Sequence, residues 1–157
     1  MLSYRNLVED DCEFILQNWV EHSVIFRKGL GKDELLSMIK SINTKQYDGN
    51  YYEMFGLLND NILIGTFSLY QRECDIPENA VYFGVEIDKN KRMKGFATNA
   101  AFMVFKIAKE RGYEKIFSQA RTDNLASVRM HEKCGFHITQ KTINKKGNEV
   151  YNFSKIL

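Results

Sequence analysis

The sequence predicts an α/β fold built on a mixed, mostly antiparallel sheet of about seven strands flanked by about four helices. Two observations carry that expectation: aromatic and β-branched runs form hairpin-like pairs in the middle and at the end of the chain, and strand and helix patterns alternate in the second half. The 157 residues, 44% of them hydrophobic, are enough for one core and too few for two. The single proline, Pro77, and the lack of biased segments mark no linker, so residues 1–157 are expected to form one domain.

The elements follow in order. Residues 2–6 read as a short strand, and Asp10 and Asp11 are cap candidates for a helix reaching about residue 21, with Phe14, Ile15 and Val20 inward. A second short helix is expected over 33–42. Residues 51–58 and 62–70 form a hairpin, with Asn59, Asp60 and Asn61 supplying its turn, and 72–79 make a loop. A strand over 81–88 precedes a helix over 96–111, whose apolar stripe runs through Ala101, Val104, Phe105 and Ala108 until Gly112 stops it. A strand over 115–121 leads into a helix over 124–134 ended by Gly135, and 136–143 pairs with 149–156 across a turn at 145–148.

Composition narrows the function. A net charge of +2 with 27% charged residues gives no global field that argues for nucleic acid, so an anionic ligand has to be held locally. No apolar run nears the roughly 20 residues of a membrane span, and residues 1–11 are polar where a signal peptide would be apolar, so the protein is expected in the cytoplasm and off the membrane. Cys12, Cys74 and Cys134 are an odd, scattered set suited to reduced thiols. His131, Cys134 and His137 lack a fourth ligand at suitable spacing, so no metal is expected.

Two junctions between strand end and helix start are the candidate ligand sites. The first contains Lys89, Lys91, Arg92 and Lys94 around Gly95, just ahead of the helix. Unpaired N–H groups and a partial positive charge at a helix N-terminus suit a polyphosphate, Gly95 lets the backbone approach oxygen, and Ala97 stays small. Neither a P-loop nor a G-x-G-x-x-G pattern is present. In the second junction Asn124 is placed as an N-cap, and Asn124, Ser127, Val128 and His131 share one helical face.

The run Arg92-Met93-Lys94-Gly95-Phe96-Ala97 resembles the R/Q-x-x-G-x-G/A signature of the GNAT acetyltransferases. The run from Asn124 through Ser127, His131, Glu132, Lys133 and Gly135 to Phe136 resembles a second element of the same superfamily, at the right distance from the first. Together with flanking elements the two cover roughly residues 81–140, about half the chain. Arg5, Asn6 and Leu7 with Asp10, Asp11, Asn18 and Trp19 resemble the opening of the ribosomal-protein amino-terminal and spermidine acetyltransferase branch.

The resemblance implies a GNAT-like acyl-CoA N-acyltransferase fold and acetyl-CoA as co-substrate. It implies that the backbone of Arg92, Met93, Lys94, Gly95, Phe96, Ala97 and Thr98 holds the coenzyme A diphosphate. Val85 and Ile87 would pair with the pantetheine arm as with an added strand, and the amide near Ile87 would stabilise the oxyanion. Asn124 would bond to pantetheine or face the acceptor, and Ser127 would face the cofactor; capping and solvation are their simpler roles.

His131 stands where many relatives carry a tyrosine that protonates the leaving thiolate. The family's early-strand glutamate is missing from Asn79-Ala80-Val81, leaving Glu86 and Glu78 as the nearest bases; strand alternation sets Glu86 opposite Val85 and Ile87.

The implied reaction is direct attack of an amine on the thioester, with a small-molecule amine or a protein amino terminus as acceptor. Trp19, Phe26, Tyr47, Tyr51 and Tyr52 are candidate walls for the acceptor, and strands near the carboxyl terminus make a homodimer plausible. The rival reading is a related domain that binds acetyl-CoA with little catalysis.

Overall fold

The computed structural model describes residues 1–18, 29–71 and 76–157. Its strands are β1 (Leu2–Asn6), β2 (Gln46–Tyr47), β3 (Asn50–Asn59), β4 (Ile62–Tyr70), β5 (Ala80–Ile87), β6 (Lys115–Arg121), β7 (His137–Ile143) and β8 (Glu149–Ile156). Its helices are α1 (Cys12–Asn18), α2 (Lys32–Asn43), α3 (Phe96–Glu110) and α4 (Leu125–Lys133). The sheet runs β1-β3-β4-β5-β6-β8-β7, with β2 attached to β3. Every pair is antiparallel except β5 with β6, whose connection passes through α3 as a parallel crossover requires.

Local chemistry explains the turns. Asp60 and Asn61, at φ 49° and 66°, form the two-residue left-handed turn between β3 and β4 that matches strand twist. The Asn144 side chain accepts from the amides of Lys146 and Asn148 at 3.0 and 2.9 Å and closes the β7–β8 turn. α3 and α4 stop where Gly112 and Gly135 take φ of 86° and 88°.

The sheet is covered on both faces. Phe83, Val81 and Ile116 meet Val104, Phe105 and Ala108 of α3 on one side. Tyr52, Met54 and Tyr70 meet Ile15 of α1 and Leu35 and Ile39 of α2 on the other. Cys12 and Cys134 are buried free thiols, both held above the ordinary thiol range first by burial, which unsuits them as nucleophiles.

Three details differ from the sequence reading. The sheet has an eighth, two-residue strand, β2, too short to show any periodicity. The first helix begins as a 3-10 turn over Glu9–Asp11, because the Asp11 carboxylate is taken by Arg5 at 2.7 and 2.9 Å and by the Val8 amide at 2.8 Å. The strand expected over 81–88 starts at Ala80 and ends at Ile87, where the Asp88 side chain caps the next turn by accepting from the Asn90 amide at 3.0 Å. The expected helical stretch beyond Asn18, with Trp19, Val20 and Phe26, lies outside the described residues, as do Cys74 and the start of the loop over 72–79.

Candidate active site

Backbone pairing creates the site. β5 and β6 are joined only at Ala80 with Lys115, Val81 with Ile116 and Tyr82 with Phe117. Beyond those pairs the strands part. β5 keeps its other partner, with Val85, Glu86 and Ile87 opposite Phe67, Thr66 and Gly65 of β4, and β6 stays paired to β8 through Arg121. The facing edges of Val85–Ile87 and Gln119–Arg121 are therefore left without a strand between them, a slot suited to an extended chain carrying amides.

Gly65 lets that slot keep its shape: a Cβ there would overlap the Glu86 carbonyl oxygen and come within 3.3 Å of the Ile87 Cα. Only a residue without a side chain lets β4 approach the stretch of β5 that lines the slot.

The slot leads to the head of α3. Met93 and Gly95 take left-handed φ of 63° and 79°, and two such residues two positions apart curl the main chain into the kind of concavity that binds anions. Gly95 is the N-cap, supplies no side-chain cap, and no acidic residue sits in the first turn. The amides of Phe96, Ala97 and Thr98 are thus the unpaired donors of a 15-residue helix. A Cβ on Gly95 would meet nothing within 4 Å, so the space over the amides is open.

A cavity of about 680 Å³ joins this cradle to the slot. Val85, Ile87, Arg92, Met93, Gly95, Phe96, Ala97, Thr98, Asn124 and Ser127 all line it; Lys94 does not. Lys91, one of the cations expected around Gly95, lines it too, as do Arg129 and Lys133, which were not expected at the site because a cation on a helix surface carries no local signal. Arg92 bends back so that its Nε donates to the Ile87 carbonyl at 3.0 Å, bracing the loop against β5. The Asn124 side chain accepts from the Ser127 amide at 3.2 Å, so it caps α4 while standing in the cavity wall. These donors, cations and free strand edges fit a diphosphate joined to an amide-bearing arm.

A second cavity, of about 960 Å³, opens on the α1–α2 side of the sheet and shares Val85, Glu86, Gln119, Ala120, Arg121, Ser127 and Met130 with the first. Tyr47, Tyr52, Tyr70 and Tyr82 line it, the rings of Tyr52, Tyr70 and Tyr82 stacked strand to strand at 5.2 and 5.5 Å. Tyr51 faces away and packs on Tyr113 near α3. Trp19 and Phe26 lie outside the described residues. Tyr70 and Tyr82 were missed because an aromatic in a strand reads first as core.

Glu86 stands at the boundary of both cavities, on the face opposite Val85 and Ile87. Burial pushes its carboxyl up to about 7, with the nearby Arg92 cation pulling the other way. Glu78 lies in the loop ahead of β5 and lines neither cavity.

His131, only 2% exposed, is stacked on Phe153 at 4.3 Å, and burial holds its imidazole below its ordinary value against the opposing pull of the Ser127 carbonyl. Its Nδ1 is 2.7 Å from the Ser127 carbonyl oxygen and its Nε2 2.8 Å from Ser118 Oγ. Both ring nitrogens are engaged, and Ser118 and His131 both line the larger cavity.

Among the described residues no helix is long and apolar enough to cross a membrane. No curated protein sequence matches the chain. Solved structures match over nearly its whole length. The yncA protein of Salmonella typhimurium, solved with its cofactor acetyl-CoA, has a TM-score of 0.80 at 17% identity, covering 100% of this chain and 94% of that one. A chimeric spermidine N-acetyltransferase based on that of Vibrio cholerae has a TM-score of 0.78 at 21% identity, covering 99% and 95%. A Salmonella typhimurium acetyl transferase that modifies the N-terminal serine of a 50S ribosomal subunit protein has a TM-score of 0.77 at 16% identity, covering 99% and 95%. These likenesses share the fold, and a family model described as an acetyltransferase (GNAT) domain matches residues 2–137. With its cradle, split sheet and sequence agreeing, this chain belongs to the GNAT acetyltransferases, enzymes that use acetyl-CoA.

Proposed function

We propose that the chain transfers the acetyl group of acetyl-CoA to a primary amine by direct attack, with the reaction taking place where the two cavities meet. The observation that carries this reading is the split between β5 and β6, which runs from the uncapped head of α3 to Glu86. The amides of Phe96, Ala97 and Thr98, with Lys91 nearby, would hold the diphosphate, and the free edges of Val85–Ile87 and Gln119–Arg121 would hold the arm. The main-chain amides of β5 would then stabilise the oxyanion.

Glu86 is the general base. A carboxyl titrating near neutral pH takes a proton from an ammonium group without being locked in either state, and its place on both cavity walls puts it beside an amine entering from the tyrosine-lined side. That side mixes apolar rings with hydroxyls and the carboxylate of Asp48, which suits an amine on a partly apolar body. Spermidine and a protein amino terminus, the acceptors of two structural neighbours, are the first amines to try. The buried reduced thiols of Cys12 and Cys134 suit a cytoplasmic enzyme.

The test is release of free thiol from acetyl-CoA with spermidine, a serine-initiated peptide, a free amino acid and an aminoglycoside. Amine-dependent release by the wild type, reduced by about 10² in Glu86→Gln, is expected. Acetyl-CoA binding without release on any amine would replace this reading with a cofactor-binding domain.

A further inference from the structure

Making an amide from an ammonium acceptor requires two deprotonations at nitrogen, one before attack and one as the tetrahedral adduct collapses, while the departing thiolate gains one proton. Glu86 accounts for the first. The second proton needs a route from nitrogen to sulfur, two atoms bonded to the same carbon in the adduct.

Ser118 is the residue that directly follows the last paired position between β5 and β6, so it sits at the apex of the split. Ser118 is among the residues that line the larger cavity, its Oγ is 2.8 Å from His131 Nε2, and a 3.4 Å contact joins it to the Phe83 carbonyl of β5. The Ser127 carbonyl can only accept, so His131 Nδ1 carries the ring proton and donates it there at 2.7 Å. Nε2 is then a lone pair, and the Ser118 hydroxyl donates to it. Were Nε2 to gain a proton, the bond would reverse: Nε2–H would donate to Ser118 Oγ, freeing the hydroxyl hydrogen for a second acceptor. Both states leave every polar atom of the pair hydrogen-bonded.

We propose that Ser118 is a catalytic residue that carries the second proton from nitrogen to sulfur, with His131 Nε2 as its temporary holder. As the adduct forms, Ser118 Oγ accepts the proton from the attached nitrogen while passing its own hydrogen to Nε2. As the C–S bond breaks, the electron pair leaves with sulfur; Ser118 gives the thiolate a proton and recovers one from Nε2. The pair ends as it began, with no oxidant or outside reactant. Burial against Phe83, Phe136 and Phe153 keeps the resting imidazole neutral, which is the state able to accept.

The proposal rests on the acetyl-transfer reading, and the experiment separates the two. Ser118→Ala and Ser118→Thr are compared with the wild type, using spermidine and a serine-initiated peptide as acceptor probes. Expected for Ser118→Ala is a fall in kcat of about 10², with acetyl-CoA KM within twofold and loss of a curved dependence of kcat on deuterium fraction. Ser118→Thr, which restores the hydroxyl, should recover kcat to within about tenfold and keep the curvature. A folded Ser118→Ala with kcat within twofold of the wild type, or with the same curvature, overturns the relay. Should Ser118→Ala fold poorly, judged by lost acetyl-CoA affinity, a linear deuterium dependence in the wild type and Ser118→Thr overturns it instead. Transfer by the wild type to neither probe, nor to the free amino acid or the aminoglycoside, overturns the activity reading, and the relay with it.

Discussion

Glu86→Gln should make the protein more stable at alkaline pH while removing its activity. The carboxyl sits at about 7 in the folded chain against an ordinary 4.5, first because burial penalises the charged form and despite the nearby Arg92 cation. A value raised by folding means that the folded chain binds this proton more tightly than the unfolded one. The stability held by neutral Glu86 is complete below 4.5 and is lost as pH rises through about 7. At about 1.4 kcal/mol per tenfold, the gap between the two values corresponds to about 3 kcal/mol. Glutamine has the same shape and no charge, but its amide needs hydrogen bonds of its own, so the gain at pH 8 should be about 1–3 kcal/mol. For a chain of this size that raises Tm by roughly 3–10 °C at pH 8 and by almost nothing at pH 4. Thermal unfolding at the two pH values gives the difference, and kcat/KM against pH should rise with a limb near 7 in the wild type that disappears in the variant. An equal Tm change at both pH values, or a variant that keeps its activity and its limb, would refute the assignment.

Two substitutions probe the cofactor groove. Gly95→Glu should weaken acetyl-CoA by at least about 10², since a carboxylate roughly 5 Å from a diphosphate costs about 3 kcal/mol at an effective dielectric near 20. Gly95→Ala, whose Cβ enters open space, should cost only about 1 kcal/mol of folding stability for its left-handed φ of 79°; calorimetric titration of both variants checks this. Gly65→Ala should cost about 1–3 kcal/mol and raise acetyl-CoA KM, because its Cβ must push β5 outward at Glu86 and Ile87; a Tm and KM matching wild type would show that β5 has slack there.

The strands and helices that carry a strong period were legible in the sequence, and so was the place of Gly95 at the head of α3, because a glycine amid cations before an apolar helix is a local pattern. What escaped depends on distant pairing. Alternation puts Glu86 opposite Val85 and Ile87, but whether that face is open is decided by β6 parting from β5 after Phe117, a register that no local pattern encodes. Ser118 was invisible for the same reason: a serine in a strand is unremarkable until α4 brings His131 within 2.8 Å of it. His131 stood out as a lone histidine on a polar helical face, yet the same face proved to be buried against Phe83, Phe136 and Phe153. Gly65 resembles any strand glycine, and its reason lies on the neighbouring strand.

A crystal structure of the protein with acetyl-CoA tests the account most directly. It should show the diphosphate on the amides of Phe96, Ala97 and Thr98, the pantetheine arm between Val85–Ile87 and Gln119–Arg121, and the thioester beside Glu86 and Ser118. Acetyl-CoA bound elsewhere, or a thioester remote from both side chains, would contradict it.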